Sequence, residues 1–284
     1  MNKTQLTYSY EDEDFFASFP KRKEHSHKGT YGQIGVIAGS KGMAGAAFLC
    51  ARAAYAVGAG LVRIYTHEAN RVVLQQLLPE AIVITYEKFD QVQLLGFIKS
   101  CDVIAIGCGL GQSVLSEKIV RYTMEQAKCP CVVDADAINI IAKDLSVIKN
   151  TSQPLVLTPH MKEMSRLLGC SVEDLEEKKR QFLQDFSDTY HVTCVLKDSR
   201  TLVYTTGKGT YCNTTGNSAM AKAGSGDVLT GIITGIIGQK TPVHDSAWMG
   251  VYLHGKAGDI TREKLGPYSV MARDIIEAIS IALK

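Results

Sequence analysis

Short apolar runs that end in glycine or a polar residue, each followed by a helical stretch, recur along this chain and restrict its fold more than any other feature. The first run is Gln33–Ala38; a glycine-rich turn, Gly39–Gly45, leads into an alanine-rich helical stretch at Ala46–Val57, and Leu61–Thr66 returns as a second strand. That is one strand–helix–strand unit. Asp102–Ile106 (ending in Gly107–Gly111), Cys131–Asp134, Pro154–Thr158 and Val192–Lys197 continue the series, with helical stretches such as Glu117–Ala127 between them. Leu202–Thr205 and Thr210–Asn213 read as a hairpin around Thr206–Gly209. Such alternation predicts an α/β fold with a doubly wound, mostly parallel sheet flanked by helices. No Pro-, Gly- or Ser-rich linker and no fixed-period repeat interrupts it. Residues 1–284 are therefore expected to form one domain, with 1–28 as a polar N-terminal extension.

Composition removes several function classes. Hydrophobic residues make up 45% and charged residues 21%, which are globular values. The formal charge of +2 is spread along the chain and gives no reason to expect nucleic acid. The eight cysteines contain no CxxC pair, so zinc is not expected, and their places in apolar runs suit a reduced, cytoplasmic setting. The first residues lack the apolar core of a secretory signal, and Val228–Gly238 is too short to span a membrane.

The chain has no Walker A sequence, no GxGxxG and no HExxH. Its sharpest motif runs from Asn217 to Gly231, where Gly224-Ser225-Gly226-Asp227 leads straight into an apolar helix. Free amides and the helix dipole make such a start an anion site, and glycine lets a phosphate approach the backbone. Asp227 has two readings there. It is either a first-turn carboxylate favoured by the dipole, or a group facing a neutral hydroxyl while the amides face the phosphate. Gly39–Gly45 and Gly107–Gly111 serve either tight turns or close ligand approach. In Thr158-Pro159-His160-Met161-Lys162-Glu163, proline and an early acid already suit a helix start, which leaves His160 open between structure and function. Lys197–Thr201 by itself is a polar turn. The glycine clusters, Asp134, His160 and Lys197 all follow strand runs, at the rim where open α/β sheets bind ligands.

Taken together, Gly35–Ser40 with Ala44–Ala46, Gly107–Gly111, Val133–Ala137, Leu157–His160 with Glu163, Leu196-Lys197 and Gly216–Gly231 resemble the ribokinase-like superfamily. Within it they resemble the ADP/ATP-dependent NAD(P)H-hydrate dehydratases of the YjeF C-terminal type. The resemblance spans the chain from about residue 30 to Ile276. It implies that Ala46, Gly109, His160 and Asp227 line the site for the hydrated dinucleotide (NADHX or NADPHX). Lys197, Asp198, Ser199, Arg200, Thr201 and Gly226 would hold ADP or ATP. Asp227 would be the catalytic carboxylate, the amides of Gly224, Ser225 and Gly226 would form the anion hole, and Glu163 would orient Mg2+ through water. The chain departs from the pattern at Asp198 and Ala223, where relatives commonly carry glycine. The second departure is tolerable if Ala223 has negative φ. The resemblance also implies a homotetramer and, since only about thirty residues precede the first strand, a separate epimerase partner. The alternatives are a ribokinase-like kinase acting on a pyrimidine or sugar alcohol, and a non-catalytic dinucleotide sensor.

Overall fold

The computed structural model describes residues 7–284. Ten strands form a single sheet: β1 (Thr7–Tyr8), β2 (Gln33–Ile37), β3 (Leu61–His67), β4 (Ile82–Tyr86), β5 (Val103–Ile106), β6 (Cys131–Val133), β7 (Leu155–Leu157), β8 (Thr193–Leu196), β9 (Leu202–Thr205) and β10 (Thr210–Cys212). Their spatial order is β1-β10-β9-β8-β7-β6-β5-β2-β3-β4. Every pairing from β4 across to β8 is parallel, and β8–β9 and β9–β10 are antiparallel. The helices are α1 (Asp12–Ser18), α2 (Ala44–Ala56), α3 (Arg71–Leu77), α4 (Gln91–Lys99), α5 (Val114–Gln126), α6 (Ala135–Ile141), α7 (Ser146–Lys149), α8 (Met161–Leu168), α9 (Val172–Tyr190), α10 (Ser225–Gly238), α11 (Val243–Ser269) and α12 (Ala272–Ala282).

Alternate strand residues feed two cores, one on each face. Ile34, Val36, Val103 and Ala105 pack with α2, α10, α11 and α12, whereas Ile37, Ile104 and Ile106 pack with α4, α5, α6, α8 and α9. The apolar run that the sequence places after Asp227 is therefore a buried helix. Ile232, Ile233 and Ile236 are fully covered, each contributing about 1.5–3 kcal/mol of apolar burial. This helix seats closely on α2, since a Cβ at Gly231 would stand 2.1 Å from the Cys50 carbonyl oxygen and one at Gly235 would stand 2.8 Å from that of Ala54. Among the described residues no helix is long and apolar enough to cross a membrane.

Strands expected from the sequence match to within a residue or so at each end. Edge strand β4 lies outside that reading. So does the packing of the N-terminal extension, whose residues 1–6 lie outside the described residues. From residue 7 the extension folds back onto the sheet and α11. Phe15 is fully buried and stacks on Tyr252 with ring centroids 5.3 Å apart, and Asp12 accepts hydrogen bonds from Tyr252 and Lys256, each at 2.5 Å.

Candidate active site

The chain leaves β2 toward β3 and β4 on one side, then crosses to β5 and β6 on the other. This reversal opens a crevice beyond the carboxyl ends of β2 and β5. Two glycine loops meet there. The Gly39 amide donates to the Cys108 carbonyl at 3.0 Å and the Ser40 amide to the Gly109 carbonyl at 2.6 Å. Gly109 has φ +58° and faces the first turn of α2, so an added Cβ would lie 2.8 Å from the Ala46 Cβ. Ala46 and Gly109 thus stand side by side and form one wall of this crevice. The acid that follows closes the loop, because Asp136 accepts from the Gly111 amide at 2.8 Å.

Asp134, at the end of β6, is the centre of the polar network. It is 1% exposed. One oxygen accepts from Lys197 Nζ at 2.6 Å and Thr158 Oγ1 at 2.8 Å; the other accepts from Thr230 Oγ1 at 2.9 Å and the Cys108 thiol at 3.7 Å. Burial pushes its pKa up, but the Lys197 charge and these hydrogen bonds outweigh that and hold it below the ordinary value. Burial likewise disfavours the Lys197 ammonium, yet Asp134 and then Glu163 keep its pKa raised. The pair is therefore charged. Ala135, the next residue, sits at φ +48°, a strained left-handed position for alanine.

Asp227 lies beside this pair. One oxygen each of Asp134 and Asp227, and the Cys108 sulfur, fall within 4.8 Å of one another. Burial, and then the charge of Asp134, push the Asp227 carboxyl up to about 7. It can therefore exchange a proton near neutral pH. It occupies the third position of α10, whose N-cap is Gly224 at φ +90° with no side-chain cap. A Cβ at Gly224 would lie 2.5 Å from Leu49 Cδ1. The Ser225 amide donates to the Lys222 carbonyl at 3.3 Å, so of the three amides assigned to the anion hole this one is engaged. Those of Gly224 and Gly226, with that of Asp227, have no protein acceptor among the described residues. The side of Gly226 where a Cβ would stand faces Lys197 Nζ at 3.4 Å, which brings a cation to the same place. Among the described residues, the non-glycine residues with positive φ are Ala135, His191 and Lys240, so Ala223 fits without that strain.

His160 and Glu163 form a closed pair at the start of α8. The Glu163 amide donates to His160 Nδ1 at 3.2 Å, and the His160 amide donates to Glu163 Oε2 at 2.9 Å. With Nδ1 accepting, a neutral ring carries its proton on Nε2. Burial, with Lys197 and Arg166 nearby, lowers the His160 pKa despite the opposing charge of Glu163. The His160 side chain is 48% exposed and that of Glu163 only 5%. A bridge between His160 and Lys197 ties the two strand ends together.

The Lys197–Thr201 segment is a self-closed turn. Asp198 Oδ2 pairs with Lys179 Nζ at 2.6 Å, Thr201 Oγ1 donates to the Asp198 carbonyl at 3.2 Å, and Arg200 Nη1 donates to the Thr214 carbonyl at 2.7 Å. The carboxylate that replaces the expected glycine is thus directed to α9.

Three supporting residues were not singled out from the sequence. Asp259 on α11 accepts from the Gly216 amide at 2.9 Å and from Asn217 Nδ2 at 2.7 Å, which fixes the approach to α10. His254, on the same helix, has Nε2 3.3 Å from Ser225 Oγ. Burial drops its pKa to about 4, so it adds no charge to the helix start. Cys108 sits within the second glycine loop, and a lone thiol between glycines carries no local pattern that relates it to Asp134.

Residues 34–280 match the family model described as NAD(P)H-hydrate dehydratase. The chain is 35% identical to the ADP-dependent (S)-NAD(P)H-hydrate dehydratase of Neisseria meningitidis, over 87% of this chain and 83% of that one. It is 36% identical to the bifunctional NAD(P)H-hydrate repair enzyme of Moorella thermoacetica, over 94% of this chain and 52% of that one. The chain thus spans about half the length of the bifunctional relatives it matches. The ADP/ATP-dependent NAD(P)H-hydrate dehydratase of Bacillus subtilis, crystallised with ATP and Mg2+, superimposes with a TM-score of 0.86 at 28% identity, covering 99% of this chain and 98% of that one. Superimposable proteins of the ribokinase-like superfamily assign the fold to that class.

Proposed function

The chain belongs to the NAD(P)H-hydrate dehydratase family, and from that premise we propose that it restores NADH or NADPH from the hydrated cofactor, using ADP or ATP as phosphoryl donor. The observation that carries this reading is Asp227. A carboxyl poised at about 7 stands at a helix start with open amides, beside the wall made by Ala46 and Gly109.

Hydroxide is a poor leaving group, so the C6 hydroxyl of the damaged ring has to be activated. In the proposed reaction its oxygen attacks the terminal phosphorus of the nucleotide while Asp227 accepts the hydroxyl proton. The bond from phosphorus to the nucleotide breaks, and AMP or ADP departs. The open amides of α10 and the Lys197 ammonium stabilise charge on the transferring group. The ring-nitrogen lone pair then expels phosphate from C6, and loss of a proton from C5 restores the dihydropyridine. Asp134 holds Lys197 in place throughout, and its four hydrogen-bonded contacts leave it no part in proton transfer.

Glu163 suits the magnesium role only through water. Its carboxylate is buried and faces His160 with both oxygens, yet each oxygen keeps a second lone pair for a water molecule. Magnesium held by Glu163 in this way and by the nucleotide phosphates would supply charge neutralisation. We further propose that the chain acts as one catalytic domain in the cytoplasm, as a homotetramer, with a separate epimerase supplying the correct epimer. The eight free cysteines suit that compartment.

Incubation with hydrated NADH plus ADP or ATP tests the reading. Return of NADH absorbance with release of free phosphate is expected. A stable phosphorylated product would make the protein a kinase, and binding without turnover would make it a sensor.

A further inference from the structure

A cavity of about 540 Å³ is lined by Gln112, Asn139, Ala142, Lys143 and Arg166, between the Gly107–Gly111 loop, α6 and α8. Both charged residues of its lining are cations. Arg166 Nη1 donates to a neutral acceptor, Asn139 Oδ1, at 2.7 Å, so its charge is not neutralised by a carboxylate. Lys143 is exposed and forms no ion pair among the described residues. The nearby acid, Asp136, is already committed to the Gly111 amide at 2.8 Å and to Gln112 Nε2 at 3.3 Å.

Two elements connect the cavity to the candidate active site. Gln112 lies three residues beyond Gly109, on the same loop. Arg166 lies six residues beyond His160, a rise of about 9 Å along α8. The loop that carries Gly109 and the helix that His160 begins thus both run from the candidate active site to this cationic cavity.

We infer that the cavity framed by Lys143 and Arg166 binds a phosphate group of the dinucleotide substrate. The inference rests on the proposed dehydratase reading, which supplies the dinucleotide. Guanidinium and ammonium groups beside neutral amides are the chemistry that recognises phosphate oxygens. The dinucleotide offers two sources of that chemistry, the pyrophosphate bridge present in both cofactors and the 2′-phosphate present only in NADPH.

The test uses Lys143→Glu, an exposed position with no ion pair among the described residues, and Arg166→Lys, which keeps the charge but removes the fork. Both are assayed with NADHX and NADPHX for KM and kcat, with ADP affinity measured alongside. Equilibrium binding of NADH and NADPH is followed on the same preparations. Lys143→Glu is expected to raise KM about tenfold or more, with kcat and ADP affinity unchanged. Weakening with NADPHX alone assigns the 2′-phosphate; weakening with both assigns the pyrophosphate. Unchanged KM and unchanged binding for both dinucleotides in both variants would overturn the inference, as would a loss confined to ADP. If the parent protein binds NADPH yet turns over neither hydrate, the dehydratase reading fails, while the binding arm still decides the role of the cavity.

Discussion

Helices α8 and α10 both begin at the rim of the sheet, and they begin in opposite ways. The α8 start is self-sufficient, since His160 caps the Glu163 amide and Glu163 returns the bond. The α10 start is left open, with a left-handed glycine at the N-cap and no side-chain cap. An N-cap side chain contributes about 1 kcal/mol, so a helix without one forgoes that stability. The contrast separates two kinds of site residue. A closed helix start fixes its side chains and positions them for others. An open one leaves its amides available to an anion, and the acid in its first turn stands beside them.

Asp227→Asn is the most severe way to break this comparison. The substitution keeps the shape of the side chain and removes the proton acceptor. Turnover should fall by roughly a hundredfold or more, while nucleotide binding holds or tightens as a negative charge leaves the phosphate site. Near-normal turnover would reduce Asp227 to a favourable first-turn charge and end the proposed mechanism. The same variant has a second readout. The folded-state pKa of Asp227 is about 7, above the ordinary 3.8. Between those values the folded chain keeps a proton that the unfolded chain has released, so this carboxyl makes stability fall as pH rises through that window. Asp227→Asn should therefore raise Tm relative to the parent at pH values above about 7, with the advantage shrinking toward pH 4. For the parent enzyme, kcat/KM should rise with pH through about 7 as the base loses its proton.

Glu163→Gln probes the closed start. Glutamine can still complete a capping box, so α8 should remain intact. Loss of the carboxylate charge should lower kcat roughly tenfold, the scale seen when a group that orients a metal's surroundings is removed, with a much smaller change in nucleotide affinity. Unchanged turnover at limiting magnesium would remove Glu163 from the reaction and leave it a cap.

The degree to which these features were legible in the sequence follows from their range. The rim strands β2, β3 and β5 to β8 announce themselves as local apolar runs that end in glycine or a polar residue, and Asp227 by its place in Gly224-Ser225-Gly226-Asp227. Edge strand β4 is only partly covered, so its pattern is weaker. The burial of Phe15 was hidden because its partner Tyr252 lies more than two hundred residues away. Asp134 could be placed at a strand end, but its partners Lys197 and Thr230 come from other elements, and no spacing rule connects residues 63 and 96 positions apart. His254 and Asp259 are polar residues on a long helix, without a local pattern to relate them to Ser225 and Asn217. The capping box of His160 and Glu163 was half legible, since the acid three residues after His160 suits a helix start.

The gentlest probe is His160, because its two roles can be pulled apart. As an N-cap it accepts the Glu163 amide through Nδ1, and as a half-exposed ring it is the expected contact of the dinucleotide. His160→Ala removes both. It should destabilise the protein by about 1 kcal/mol and raise KM for the hydrate a few-fold, with kcat little changed. His160→Asn restores a strong capping oxygen without the ring. If the ring contacts substrate, the asparagine variant regains stability but keeps the raised KM. If both recover together, the KM effect of alanine came only from a loosened helix start, and α8 contributes to the site solely by holding Glu163 still. A metal role for His160 is checked on the same preparations, since stoichiometric zinc in the parent that is lost in both variants would contradict a substrate contact.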